Sequence, residues 1–164
     1  MPAQTNDTIA ASELVAMRQR CMRAFALADR TALEQAWAAW SPAPEIEAVR
    51  GPERGLVMVR GRIGGSGDRF NLGEATVARA TVRLHGGALA NDTVGTSYLL
   101  GTDLEHARLA AIFDGLLLDP TLRARVLSEV VEPLETAQRE HEAAEQADAR
   151  STLVDFFTVS REHE

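Results

Sequence analysis

Two arginines two residues apart, Arg60 and Arg62, run into the glycine-rich stretch Gly64-Gly65-Ser66-Gly67. A guanidinium presents planar, paired donors that suit a phosphate, a phosphonate or a carboxylate. Glycine admits positive φ and lets another group approach the backbone closely. On a strand, residues i and i+2 share a face, so Arg60 and Arg62 project together. Arg79 and Arg83 share a face of a second strand in the same way. If these strands pair with those faces aligned, one sheet surface carries all four guanidiniums. Such a surface would hold anionic oxygens, or would pair with carboxylates such as Glu47 and Glu74 and contribute little energetically. A tight hairpin with solvated arginines accounts for the same residues without any ligand.

Established phosphate motifs do not fit. A P-loop needs a lysine after its glycines, and all 17 basic residues here are arginine. The spacing of the Gly64–Gly67 turn is not that of a dinucleotide-binding strand–turn–helix. No nucleophile elbow, zinc spacing or paired-cysteine motif is present, so no catalytic set and no metal set is expected. Asp103 and His106 are three residues apart, but two ligands do not make a metal site, and Asp103 already reads as a helix cap. His141 and Glu145 read as an i, i+4 surface pair. His85 and His163 have no sequence-adjacent partner. The lone Cys21 cannot form an internal disulfide and falls on an apolar helical face, where it serves as a small core residue.

Composition narrows the classes further. The chain has 164 residues, a hydrophobic content of 45% and a formal charge of −7. That length suits one domain, residues 1–164, with a real core. The acidic balance and sparse aromatics argue against nucleic-acid binding. The start, MPAQTNDTIAA, has neither a basic nor an apolar leader region, and no apolar run approaches the roughly 18 residues of a membrane span. A cytoplasmic protein without membrane contact is expected.

Residues 1–10 read as a disordered lead-in. Leu14, Met17, Cys21 and Phe25 predict a helix over 11–27. Thr31 with Glu34 reads as a capping box for a second helix, striped by Leu33, Trp37 and Trp40 and ended by Ser41-Pro42-Ala43-Pro44. Glu45–Arg50, Leu56–Ile63, Glu74–Leu84 and Val94–Leu100 read as strands, with Gly51–Gly55 as a turn between the first two. Short connections between them favour an antiparallel sheet of about four strands in an α+β fold. Thr102 with Glu105 reads as a second capping box, followed by the stripe Leu109, Ile112, Phe113 and Leu116. Asp119-Pro120 opens another helix, Pro133 kinks or restarts it, and 136–150 reads as an exposed helix. The ending Thr152–Val159 is apolar and β-prone. Leu153, Val154, Phe156 and Phe157 would either complete the chain's own sheet or dock on another subunit.

These blocks resemble the PhnG family. The resemblance rests on Arg18–Met22, on Gly55–Gly67, on Phe70–Glu74, on Arg79–Leu84, on Val94-Gly95 through Asp103 with His106-Ala107, and on Val154–Thr158. It covers about Leu14 to Arg161 with the blocks in order. Cys21 stands where the family pattern has tryptophan, and Ser160-Arg161-Glu162 replaces a more apolar end; both changes bear on packing. The resemblance implies a subunit of the carbon–phosphorus lyase core complex with PhnH, PhnI and PhnJ. With PhnH, PhnI and the ATPase-like PhnL, such a subunit supports displacement of adenine from ATP by a phosphonate. The product is an α-D-ribose 1-phosphonate 5-triphosphate such as the 1-methylphosphonate. In that picture the nucleosidase chemistry belongs chiefly to PhnI, the iron–sulfur cluster to PhnJ, and this chain carries no cofactor of its own.

Two roles follow. As an accessory subunit, the chain would use Arg60, Arg62, the Gly64–Gly67 turn and the 153–159 tail for assembly. As a direct participant, its arginines and glycine backbone would hold triphosphate or phosphonate oxygens beside a partner's catalytic site. A free-standing anion-binding module is a third reading, which the apolar tail disfavours.

Overall fold

A computed structural model describes residues 3–62 and 66–151. The order is α1 (Ala3–Leu27), α2 (Arg30–Ala39), β1 (Glu45–Arg62), β2 (Arg69–His85), β3 (Thr93–Leu100), α3 (Leu104–Leu118), α4 (Arg123–Val126) and α5 (Glu132–Ser151). A π-helical turn, Leu127–Val131, joins α4 to α5. The fold is α+β, as the short strand connections predict.

Among the described residues the sheet has three strands in the order β1-β2-β3, all antiparallel. Four were expected, because the glycine–proline cluster at 51–55 carries turn chemistry. In the fold that cluster is an irregularity inside one strand. Both halves of β1 pair with β2, from Glu45 opposite His85 to Arg62 opposite Arg69, and the register slips around Gly51. Gly51 holds φ +71°, which lets the strand bend through the bulge without a side-chain clash.

One sheet face is covered and the other is open. Ala78, Ala80, Val82 and Leu84 of β2, with Ser97 and Leu99 of β3, are buried on the covered face. Helix α3 packs against β2 and β3, and α1 and α2 pack on α3. Gly95 and Gly115 permit this close approach. A Cβ on Gly95 would lie 1.9 Å from the Ala111 carbonyl oxygen and 2.4 Å from the Gly115 nitrogen. Phe113 sits at the centre of an aromatic cluster with Phe25, Trp37 and Trp40. Cys21, Phe25, Leu33, Leu109, Ile112 and Phe113 belong to this one core. The open face carries Arg83, Val94, Tyr98 and Leu100 in exposed positions.

Helix boundaries differ from the expected ones in instructive ways. Helix α1 begins at Ala3, so the stretch read as a lead-in is helical from that point. Asp29, not Thr31, caps α2, its carboxylate accepting from the Thr31 N–H at 2.8 Å. Of the two cap readings at α3, Asp103 and not Thr102 holds, accepting from the His106 N–H at 3.0 Å. An aspartate carboxylate is the better acceptor for free amide hydrogens at a positive helix end. Asp119 closes α3 and caps the next turn through the Thr121 and Leu122 N–H groups, so α4 starts only at Arg123. Pro133 lies in the first turn of α5. Its missing N–H and the clash with the carbonyl four residues back are absorbed by the preceding π-turn, where Glu132 N–H bonds Leu127 O.

Candidate functional site

The last third of the β1–β2 hairpin leaves the body of the fold. Strand β3 pairs with β2 only from Val77 to Leu84, whereas β1 and β2 stay paired to the Arg62–Arg69 end. Residues 55–62 and 69–76 therefore form a two-stranded ribbon about 25 Å long by strand rise. Its large side chains are exposed: Leu56 62%, Met58 52%, Phe70 41% and Leu72 61%.

A bulge decides which side chains share a face. Val59 pairs with Gly73 and Arg60 with Asn71, so Leu72 is the extra residue. It folds over Gly61, whose hypothetical Cβ would meet Leu72 Cδ1 at 2.6 Å. Following the alternation through that bulge, Leu56, Met58, Arg60 and Arg62 continue the helix-side face of the sheet, opposite Thr76, Glu74, Asn71 and Arg69. Val57, Val59, Phe70 and Leu72 continue the open face.

The four expected arginines thus do not form one surface. Arg60 and Arg62 lie on the helix-side face near the ribbon tip, joined by Arg69. Arg79 and Arg83 lie on the open face, and both are paired. Arg79 Nε reaches Glu53 at 2.9 Å, and Arg83 reaches Glu47 at 3.2 Å. Hydrogen bonding from Arg50, with the charge of Arg79 beside it, holds the Glu53 carboxyl below its ordinary value. The Glu47 pairing weighed from sequence is present. Arg60, Arg62 and Arg69 make no ion pair or hydrogen bond among the described residues, and the ribbon's own acids, Asp68 and Glu74, pair with none of them. Ser66 and Gly67 stand in the connecting turn; Gly64, Gly65, Leu153, Val154, Phe156 and Phe157 lie outside the described residues.

Other chemistry-bearing groups are committed to the fold. His106 Nε2 donates to the Phe25 carbonyl at 2.7 Å, tying α3 to the end of α1. His141 pairs with Glu145 at 3.3 Å. Cys21 is fully buried, and burial pushes its thiol up to about 11, which keeps it protonated and unreactive. Among the described residues no group of three or more His, Cys, Asp or Glu is placed to hold a metal ion. No described helix is long and apolar enough to cross a membrane.

Two features escaped the reading by spacing. Arg69 joins Arg60 and Arg62 only because the Leu72 bulge resets the parity of β2. Asp114 is fully buried in α3 and accepts from Arg18 Nε at 2.7 Å, a second Arg18 nitrogen at 2.6 Å and the Thr96 N–H at 2.8 Å. An acid inside the apolar run Leu109–Leu118 was the available signal, since a buried charge needs partners.

Comparison with known proteins agrees with the resemblance. Residues 16–162 match the family described as phosphonate metabolism protein PhnG. A relative from Rhizobium meliloti (strain 1021) is 52% identical over 149 residues, which cover 90% of each chain. It is described as alpha-D-ribose 1-methylphosphonate 5-triphosphate synthase subunit PhnG.

Proposed function

Since the chain belongs to the PhnG family of phosphonate metabolism proteins, we propose that it works as a subunit of an α-D-ribose 1-methylphosphonate 5-triphosphate synthase in organophosphonate breakdown. The observation that carries this reading is the 52% identity to such a subunit across 90% of both chains. The ribbon supports it, because exposed apolar side chains on a projecting hairpin are what a subunit buries on assembly. Its partners are PhnH-, PhnI- and PhnJ-like chains with a PhnL-like ATPase. ATP and methylphosphonate are substrates of the assembly, and the acid–base work resides in a partner. Co-expression with those partners, with this chain alone tagged, should yield a stable stoichiometric complex. A well-folded solitary chain that ignores them would overturn the reading.

A second reading has one specific observation in its favour. Arg60, Arg62 and Arg69 share one face and have no acid partner among the described residues, which suits them to triphosphate or phosphonate oxygens. On this reading Arg62→Ala leaves assembly intact and raises KM for ATP or phosphonate. Unchanged steady-state constants in the assembled variant would remove it.

A further inference from the structure

We infer that the β1–β2 ribbon is gripped on both faces by a cleft in another subunit, with an apolar wall against the open face and a carboxylate-bearing wall against Arg60, Arg62 and Arg69. The inference rests on the subunit reading and adds the place and chemistry of the contact.

Three observations carry it. The first is two-sided exposure. Leu56 and Met58 are exposed on the helix-side face, and Val57, Val59, Phe70 and Leu72 on the open face. A flat docking surface would bury one set and leave the other in water, whereas a cleft buries both. The apolar character of the open face also runs on into the body of the sheet. Leu100, opposite Val77, is 80% exposed, and Tyr98, opposite Arg79, is 59% exposed.

The second observation is charge. The chain carries −7 overall, and Arg18, Arg20, Arg30, Arg50, Arg79, Arg83, Arg108 and Arg125 each pair with an acid of the same chain. Among the described residues the three ribbon-tip arginines do not, and they reach no carbonyl as Arg54, Arg123 and Arg139 do. Their complement is a set of acids outside this chain. A guanidinium fork held by a planar strand pair favours carboxylates presented side by side.

The third observation is the contrast between the two halves of β1. Its first half is guarded against strand pairing by the Gly51-Pro52 bulge and by Glu45, Glu47, Arg50, Glu53 and Arg54. Within its second half, the stretch Leu56–Val59 has no charge and no proline, and among the described residues no strand lies on its outer edge. Among the described residues strand β2 likewise lacks a second strand partner over 69–75. A long apolar ribbon with bare edges invites aggregation unless a partner covers it.

The test uses the tagged full chain co-expressed with the other synthase subunits. One variant, R60E/R62E/R69E, reverses the basic tip; another, V59D/L72D, charges the open face. Thermal unfolding of each isolated variant establishes that the body stays folded. Both variants are expected to weaken complex recovery by about 30-fold or more, as loss of a buried, paired interface charge does. Hydrogen exchange of the wild-type complex should show protection over 55–62 and 69–76 together. If only one variant disrupts assembly, the contact is a flat face and the cleft is wrong. If both assemble normally, the ribbon is not the contact, while the subunit reading stands. If R60E/R62E/R69E assembles but raises KM for ATP, the arginines serve the nucleotide and the inference fails. If the wild-type chain recovers no partner, the subunit reading falls first.

Discussion

Asp114 is a carboxylate with no exposure, balanced by the Arg18 guanidinium and one strand amide. Arg18→Met keeps the aliphatic stem but strands that charge. A fully buried broken pair costs roughly 3–5 kcal/mol. Arg18 keeps 37% of its side-chain surface in water, so about 2 kcal/mol is expected, some 4–8 °C in Tm. Calorimetry of the variant checks it; an unchanged Tm would mean the pair is held by solvent. Asp119 gives a pH test. Burial alone would raise its pKa, but hydrogen bonds from the Thr121 hydroxyl and from the Ala90, Thr121 and Leu122 amides outweigh burial and lower it. A depressed carboxyl contributes stability that is complete above its unfolded pKa near 4 and is lost as pH falls through the lower folded value. Asp119→Asn should therefore cost about 1 kcal/mol at pH 7, with the gap to wild type narrowing below pH ~4. Urea unfolding at pH 7, 4 and 3 would show it; a gap constant with pH would contradict the cause given. The cap that Asp119 makes was legible in the Asp119-Pro120 start signal, but its bond from the Ala90 amide and the Arg18 partner of Asp114 were not. An acid in an apolar helix announces that a partner exists, but Arg18 lies 96 residues away and only packing identifies it.

The elements themselves were more readable than their ends. Period-3.6 stripes located α2 and α3 because their buried residues face a single core. The cap of α2 was missed by two positions because threonine and aspartate both qualify, and at α3, where Thr102 and Asp103 both read as caps, the fold used the Asp103 carboxylate. The strand count was missed because Gly51-Pro52 has the chemistry of a turn, while pairing to one continuous β2 overrides it. The helix–sheet contact was also hidden, since a glycine in sequence does not reveal what lies above it. Gly95→Ala would thrust a Cβ against the α3 backbone at Ala111 and Gly115, so α3 must move; a loss on the order of 3 kcal/mol or more is expected. Gly115→Ala meets chiefly the Leu84 side chain, at 2.7 Å, and gains helix propensity, so it should cost about 1 kcal/mol or less. Denaturant midpoints of the two variants decide this ordering; equal losses would mean the layers have room to slide.

At the scale of the whole molecule, core and ribbon are separable. Replacing Met58–Glu74 by Asn-Gly would join the partners Val57 and Ala75 through a two-residue hairpin turn. Because the removed side chains are largely exposed, Tm should stay within about 2 °C, while complex recovery is lost. A fall of 10 °C would make the ribbon part of the fold's own stability. The sidedness of that ribbon hangs on a single inserted residue. Closing the bulge by pairing Leu72 with Arg60 in place of Asn71 would restore plain alternation and carry Arg69 and Asn71 to the other side of the hairpin, parting Arg69 from Arg60 and Arg62 without changing one charge. Deleting Leu72 outright would leave the sides as they are, since Arg60 would still face Asn71 and Arg62 would still face Arg69. The side on which a neighbouring chain meets the basic tip is therefore a matter of register: one step of slippage carries a charge across the hairpin with the sequence unchanged.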